Sequence, residues 1–281
     1  MTHPASFLER YEQGDHTAVW NDLHALGDQI RQPPLSADAL AVAQATMQRV
    51  RHNLERLIPR LQRLEYMFGA GSYDDRTPAA AEVVGARRQT PVFAPPAPAT
   101  QAQLAELESL AGPLPLSLRA FYEVVGSVNL VGRFPPGTFG PAEEEGRRQR
   151  AVQPSLEAPF NPAFAYELDP LFVYSLELTL VFFRDWRDRR ARRGLPILPY
   201  RLPIGPDSFF KYAMSGGGGL YGVEVPCAAA DAPLLLEWHQ TTLVDYLRIA
   251  LQWGGFPGLA RRQPPILPPM LQALRGDLLP L

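Results

Sequence analysis

The sequence predicts an α+β protein, with an N-terminal helical hairpin followed by an antiparallel or mixed sheet flanked by helices. Two patterns carry this expectation. Between Leu40 and Leu64 apolar residues recur at steps of three and four, the period of one helix face. From Ile197 onward, short runs rich in Val, Ile, Tyr and Phe are broken by glycines and prolines, as strands joined by turns are. Composition agrees: 46% of the 281 residues are hydrophobic and 20% charged, enough to bury a core without staples.

The elements follow in order. Ser6 with Glu9 forms a capping-box pattern at the first helix. Asp15 is placed to cap a second helix carrying Val19, Trp20, Leu23 and Leu26, closed by Gly27. Pro33 and Pro34 force a connection, and Ser36 is the cap candidate for the long helix. Its stripe is Leu40, Ala43, Met47, Val50, Leu54, Leu57, Leu61 and Leu64; Arg49, Arg51, Arg56, Arg60 and Arg63 lie off it. Pro59 interrupts the pattern and cannot donate to the Glu55 carbonyl, so a kink is expected. This helical region spans 1–69. Residues 70–100, ending in Ala94-Pro95-Pro96-Ala97-Pro98, have linker composition. The remainder, 101–281, reads as one α+β domain with an irregular insertion at 133–170, which contains seven prolines.

Within that domain Thr100 and Gln103 suggest another capping box, before Leu104, Leu107 and Leu110. A second short helix carries Leu118, Phe121, Tyr122 and Val125 and stops at Gly126. Leu171–Tyr174 resembles a buried strand. Ser175 is placed to cap a helix with Leu176, Leu180, Phe183 and Trp186 on one face. Strands are expected at Ile197–Ile204, Phe209–Ala213, Leu220–Val225 and Leu234–Trp238, with Gly216–Gly219 as a hairpin turn. Thr242 is the cap of a last strong helix.

Several function classes are disfavoured. The net charge is −2, against the basic face that phosphate backbones require. The single cysteine, Cys227, excludes an intrachain disulfide and a thiolate metal cage. No leader-like apolar run and no stretch of about 18 apolar residues occurs, so a cytoplasmic protein without a membrane partner is expected. The four glycines lack the Gly-Lys-Ser/Thr of a phosphate loop. His16 and His24 are too far apart for a helical zinc pair, and no cofactor is expected. No Gly-x-Ser-x-Gly elbow accompanies His239. The arginines from Arg184 to Arg193 are interleaved with Asp185 and Asp188, a solvated helix face with internal ion pairs.

Residues 104–126 carry a resemblance. Leu104-Ala-Glu-Leu-Glu108, the Leu114-Pro115 step, Leu118-Arg119-Ala120-Phe121-Tyr122 and Gly126 resemble the opening helices of the Smi–Knr family, in the SUKH superfamily. The stretch Leu202–Asp207, the strands, the glycine turn and the helix at 241–253 look like that family's sheet and closing helix. The likeness covers about residues 100–256; helices 1–69 and insertion 133–170 are additional. It implies a SUKH-like fold and a non-catalytic, immunity-type protein. Such a protein neutralises a toxin domain, often a nuclease, by direct binding. The contact candidates read from the sequence are Glu237, Trp238 and His239, at a strand-to-helix transition, and Glu143, Glu144 and Glu145 in the insertion. Two alternatives remain: a hydrolase or nucleotide-binding enzyme using Gly216–Gly219 and His239, and a scaffold that self-associates through the 40–64 helix.

Overall fold

A computed structural model describes residues 5–69, 91–135, 138, 168–212, 219–261 and 269–281. Helix α1 (Phe7–Glu12) has the expected reciprocal cap: Ser6 Oγ accepts from Glu9 N at 3.1 Å, and Glu9 accepts from Ser6 N at 2.9 Å. Its next two free N–H groups, of Phe7 and Leu8, donate to Asp38 at 2.7 and 3.0 Å. Asp38 lies in the first turn of α3 (Leu35–Arg63), so one carboxylate stitches two helices together. Helix α2 (His16–Ala25) packs beside α1, and its Trp20 indole donates to Thr46 Oγ1 of α3 at 3.1 Å.

Helix α3 organises the molecule. Met47, Val50, Leu54, Leu57 and Leu61 are fully buried. They pack against α1 on one side and α5 (Leu116–Val124) on the other. The middle of the stripe is therefore buried inside its own chain, with Leu40 and Leu64 at its ends half-buried. The helix runs without a break through Pro59. One continuous buried cluster extends from Tyr11 through Leu54, Phe121 and Val223 to Leu247 and Leu281. Arg31 adds a polar tie, donating to the Ala228 carbonyl at 2.7 Å and to the Leu114 carbonyl.

The β component is a set of antiparallel ladders. β1 (Met67–Phe68) pairs with β4 (Gly132–Arg133), and β2 (Phe93–Ala94) with β3 (Ser127–Asn129), which also pairs with β5 (Phe172–Val173). β2 lies within the span whose composition suggested a linker; residues 70–90 of that span lie outside the described residues. Gly126, at φ +91°, allows the β2–β3 approach: a Cβ there would sit 2.2 Å from the Ala94 carbonyl oxygen. The longest ladder joins β6 (Tyr200–Pro206) to β7 (Leu220–Val225), with Leu202 opposite Val223 and an irregularity between Pro203 and Gly205. The fold is α+β.

Helix α6 (Leu176–Arg192) and the short α7 (Ser208–Lys211) pack on β6, α4 (Thr100–Ala111) packs on α6 and α5, and α8 (Leu243–Gln252) and α9 (Pro269–Arg275) pack on α3. Ser175 and Thr242 cap α6 and α8, accepting from Leu178 N and Asp245 N. The region Leu178–Phe183, whose sequence also suits a strand, is helical. Arg184 forks onto Glu106 of α4 at 2.5 to 2.9 Å, and Arg189 pairs with Asp185, so this face satisfies much of its own charge.

Four local expectations need correction. Phe209–Tyr212 is not a strand: Asp207 accepts from Phe210 N at 2.8 Å and starts helix α7, and Ala213 lies outside the described residues. Leu234–Trp238 is not a strand either: only Leu235 bridges Gly222, and Leu236 at φ +66° turns the chain away. Ala99, not Thr100, stands at the start of α4, and Pro34, not Ser36, at the start of α3. Leu54→Ala should cost about 3 kcal/mol, the penalty of a large-to-small change in a closed core. A urea titration that shows no fall in the midpoint would remove α3 from its central role.

Candidate functional site

Residues 231–242 are the last part of the connection from β7 to α8, and two buried carboxylates hold the segment, one at its start and one in its middle. At its start Asp231, 2% exposed, accepts from Ser117 Oγ at 2.6 Å, from Ala232 N at 3.0 Å and from Val244 N at 3.1 Å. It thereby joins the beginnings of α5 and α8. Burial pushes its pKa up, and these hydrogen bonds oppose the rise. Ala229 and Ala230, just upstream, offer their carbonyls to the free N–H groups of Leu116 and Ser117 at 3.2 and 2.8 Å.

The second carboxylate is Glu237, 3% exposed. One oxygen accepts from His239 N at 2.8 Å; the other lies 2.6 Å from His239 Nδ1. Non-glycine residues in the left-handed region flank this knot, Leu236 at φ +66° and Gln240 at φ +51°. Such conformations cost about 1–3 kcal/mol each and persist where the surroundings impose them. The knot buries the polar atoms and turns the apolar ones outward. Leu236 is 52% exposed, Trp238 38% and Leu235 36%. The Arg261 guanidinium lies 3.7 Å from the Trp238 ring centroid and fixes the indole from one side. The loop lines a groove of about 480 Å³ with Pro233, Leu235, Leu236, Trp238 and Thr241.

Beneath the loop is a second buried group. Lys211 and Asp169, both side chains fully buried, pair at 2.5 Å. Tyr221 donates its hydroxyl to the other Asp169 oxygen at 3.2 Å and lies edge-on to Tyr246, with centroids 6.3 Å apart. Burial first, then Asp169, Tyr246 and Glu237, push the Tyr221 phenol far up, so it stays protonated and donates. Burial, Asp169 and Glu237 do the same to Tyr246. Both tyrosines thus lie in the fields of two buried carboxylates, Asp169 and Glu237.

Of the sequence-derived candidates, Glu237, Trp238 and His239 come together but differ in role. Trp238 faces solvent, whereas Glu237 and His239 form the frame beneath it. Glu143, Glu144 and Glu145 lie outside the described residues, as do Gly216, Gly217 and Gly218. Gly219 adopts φ +118°, and Asp207 accepts from its N–H at 2.8 Å. Cys227 is partly buried, and burial raises its thiol pKa, which makes it a poor nucleophile. His239 Nε2 has no hydrogen-bond partner among the described residues, so no Ser, Thr or Cys hydroxyl or thiol completes a relay through it. Among the described residues no three His, Cys, Asp or Glu side chains gather into a metal site.

The sequence reading missed Asp169, Lys211, Tyr221 and Arg261. One signal was present for Lys211: it is the only lysine among 27 basic residues. Nothing local marks Asp169, which stands at the end of the irregular 133–170 stretch. No protein-family model matches the chain, and neither does any curated protein or solved structure. No helix among the described residues is long and apolar enough to cross a membrane.

Lys211→Met should destabilise the chain by about 3–5 kcal/mol, because it strands a buried carboxylate. Adding Asp169→Leu should recover most of that loss. Chemical denaturation of both variants checks this; a single variant as stable as the parent would show that the pair does not support the loop.

Proposed function

We propose that the chain is a non-catalytic protein-binding module that presents the 233–241 loop to a protein partner. The observation that supports this reading is the contrast within that loop. Its Glu237 carboxylate is buried and closed on His239, whereas Leu235, Leu236 and Trp238 face solvent, with Leu236 and Gln240 in the left-handed region. Exposed leucine alone is ordinary. An exposed tryptophan following two exposed leucines on a loop pinned by a buried carboxylate has the properties of an interface anchor, since little ordering remains to be done on binding.

The resemblance at 104–126 and 202–256 supplies the partner class: a toxin or nuclease domain, bound by an immunity-type protein of the SUKH kind and blocked by occlusion. Action in the cytoplasm goes with that reading. A second reading, a hydrolase or nucleotide-binding enzyme acting through His239, has the 2.6 Å Glu237–His239 contact in its favour. It requires ligand-dependent thermal stabilisation, and a nucleotide and metal screen tests it.

Immobilised protein should retain a stoichiometric partner from native host extract. Trp238→Ala should weaken that retention about thirtyfold, the scale of a hot-spot truncation of about 2 kcal/mol. Its urea midpoint should stay unchanged, because Trp238 is outside the core. Retention at full strength by the variant would place the contact surface elsewhere.

A further inference from the structure

The exposed tryptophan of the 233–241 loop comes with a charge that the chain itself does not neutralise. Arg261 ends a short 3₁₀ helix, Pro257–Arg261, that packs on α8. Its guanidinium lies 3.7 Å from the centroid of the Trp238 ring. At that separation the planar group lies face-on to the indole, which leaves its in-plane N–H donors free. Among the described residues no hydrogen bond or ion pair reaches them. Other arginines of this chain are placed differently: Arg10, Arg119, Arg184 and Arg248 each have a carboxylate oxygen within 2.7 Å.

The loop has no acid to spare for Arg261. Its sole carboxylate, Glu237, is 3% exposed and has one oxygen on His239 N and the other on His239 Nδ1. Upstream, Asp231 is 2% exposed and already accepts from Ser117, Ala232 and Val244. A body that covers Trp238 must therefore also take water from Arg261, because the two groups are stacked. Covering a guanidinium without an acceptor strands charged donors, which is costly. Supplying a carboxylate instead makes a charge-assisted bond about twice as strong as a neutral one. Beside the indole the groove of about 480 Å³ is walled by Pro233, Leu235 and Leu236, which suit an apolar side chain. Groove and guanidinium are thus two halves of one recognition surface, one apolar and one cationic.

We propose that this surface selects a segment of a protein partner that places an apolar side chain in the groove and an adjacent aspartate or glutamate on Arg261. The proposal rests on the reading of 233–241 as the contact surface and names the partner's chemistry there. Arg261 acts in it twice, holding the indole in place and rejecting apolar segments that bring no acid.

The probe is a phage library of random short peptides, panned on the immobilised full chain and on its Trp238→Ala and Arg261→Met variants. Clones that require Trp238 should carry an acidic residue next to an apolar one. Resynthesised with that residue changed to its amide, such a peptide should bind the parent about tenfold more weakly, the worth of one charge-assisted bond. Arg261→Met should bind both forms alike. Arg261→Lys, which keeps the charge and loses the planar fork, should fall between. Trp238-dependent clones without acidic residues overturn the proposal and leave the loop as the contact surface, and so does a tenfold loss that persists in Arg261→Met. If no clone depends on Trp238, the loop reading itself falls and this proposal with it.

Discussion

The burial of one helix face is the constraint from which the rest follows. α3 is long and its stripe is complete, so it needs apolar cover along its whole length. The chain supplies that cover from distant places: α1 and α2 from one end of the sequence, α5 from the middle, α8 and α9 from the other end. Once these surround α3, they form one core. The ladders are too short to stand alone and depend on this helical support.

Polar side chains then fix what hydrophobic burial leaves loose. Asp38, Asp207 and Asp231 each accept from backbone N–H groups near a helix start, and each joins segments that are separate in the sequence. Asn53, Arg49, Arg60 and Arg248 do the complementary work on carbonyls. The protein uses side chain-to-backbone bonds as its fasteners. Such bonds fix position without demanding a particular partner side chain, which leaves the exposed residues of a loop free to vary.

The sequence exposed this architecture unevenly. α6 and α8 were legible because period and cap agreed at Ser175 and Thr242, and α3 and β7 were legible from the patterns of Leu40–Leu64 and Leu220–Val225 alone, the Ser36 cap expected for α3 being Pro34 instead. The segment at Phe209 misled because alternating apolar residues look strand-like, and the deciding Asp207 cap bonds to a residue twelve positions away as well as locally. The 234–238 run failed for a related reason: its turn is made by a buried glutamate closing on a histidine two residues on, which no propensity encodes. Trp238 and His239 were found by their place before a helix. The Lys211–Asp169 pair was not, since a buried ion pair between residues 42 apart leaves no local trace.

That pair also determines the surface chemistry of the molecule. The chain's only ε-amine belongs to Lys211, and it is sealed against Asp169 with no accessible surface. Every other basic side chain of the lysine–arginine class is a guanidinium. Reagents and enzymes that acylate or conjugate lysine therefore meet no side-chain target on the folded protein. Modification at Lys211 would instead record how often the foundation of the loop comes apart, giving the chain a built-in chemical clock for its own opening.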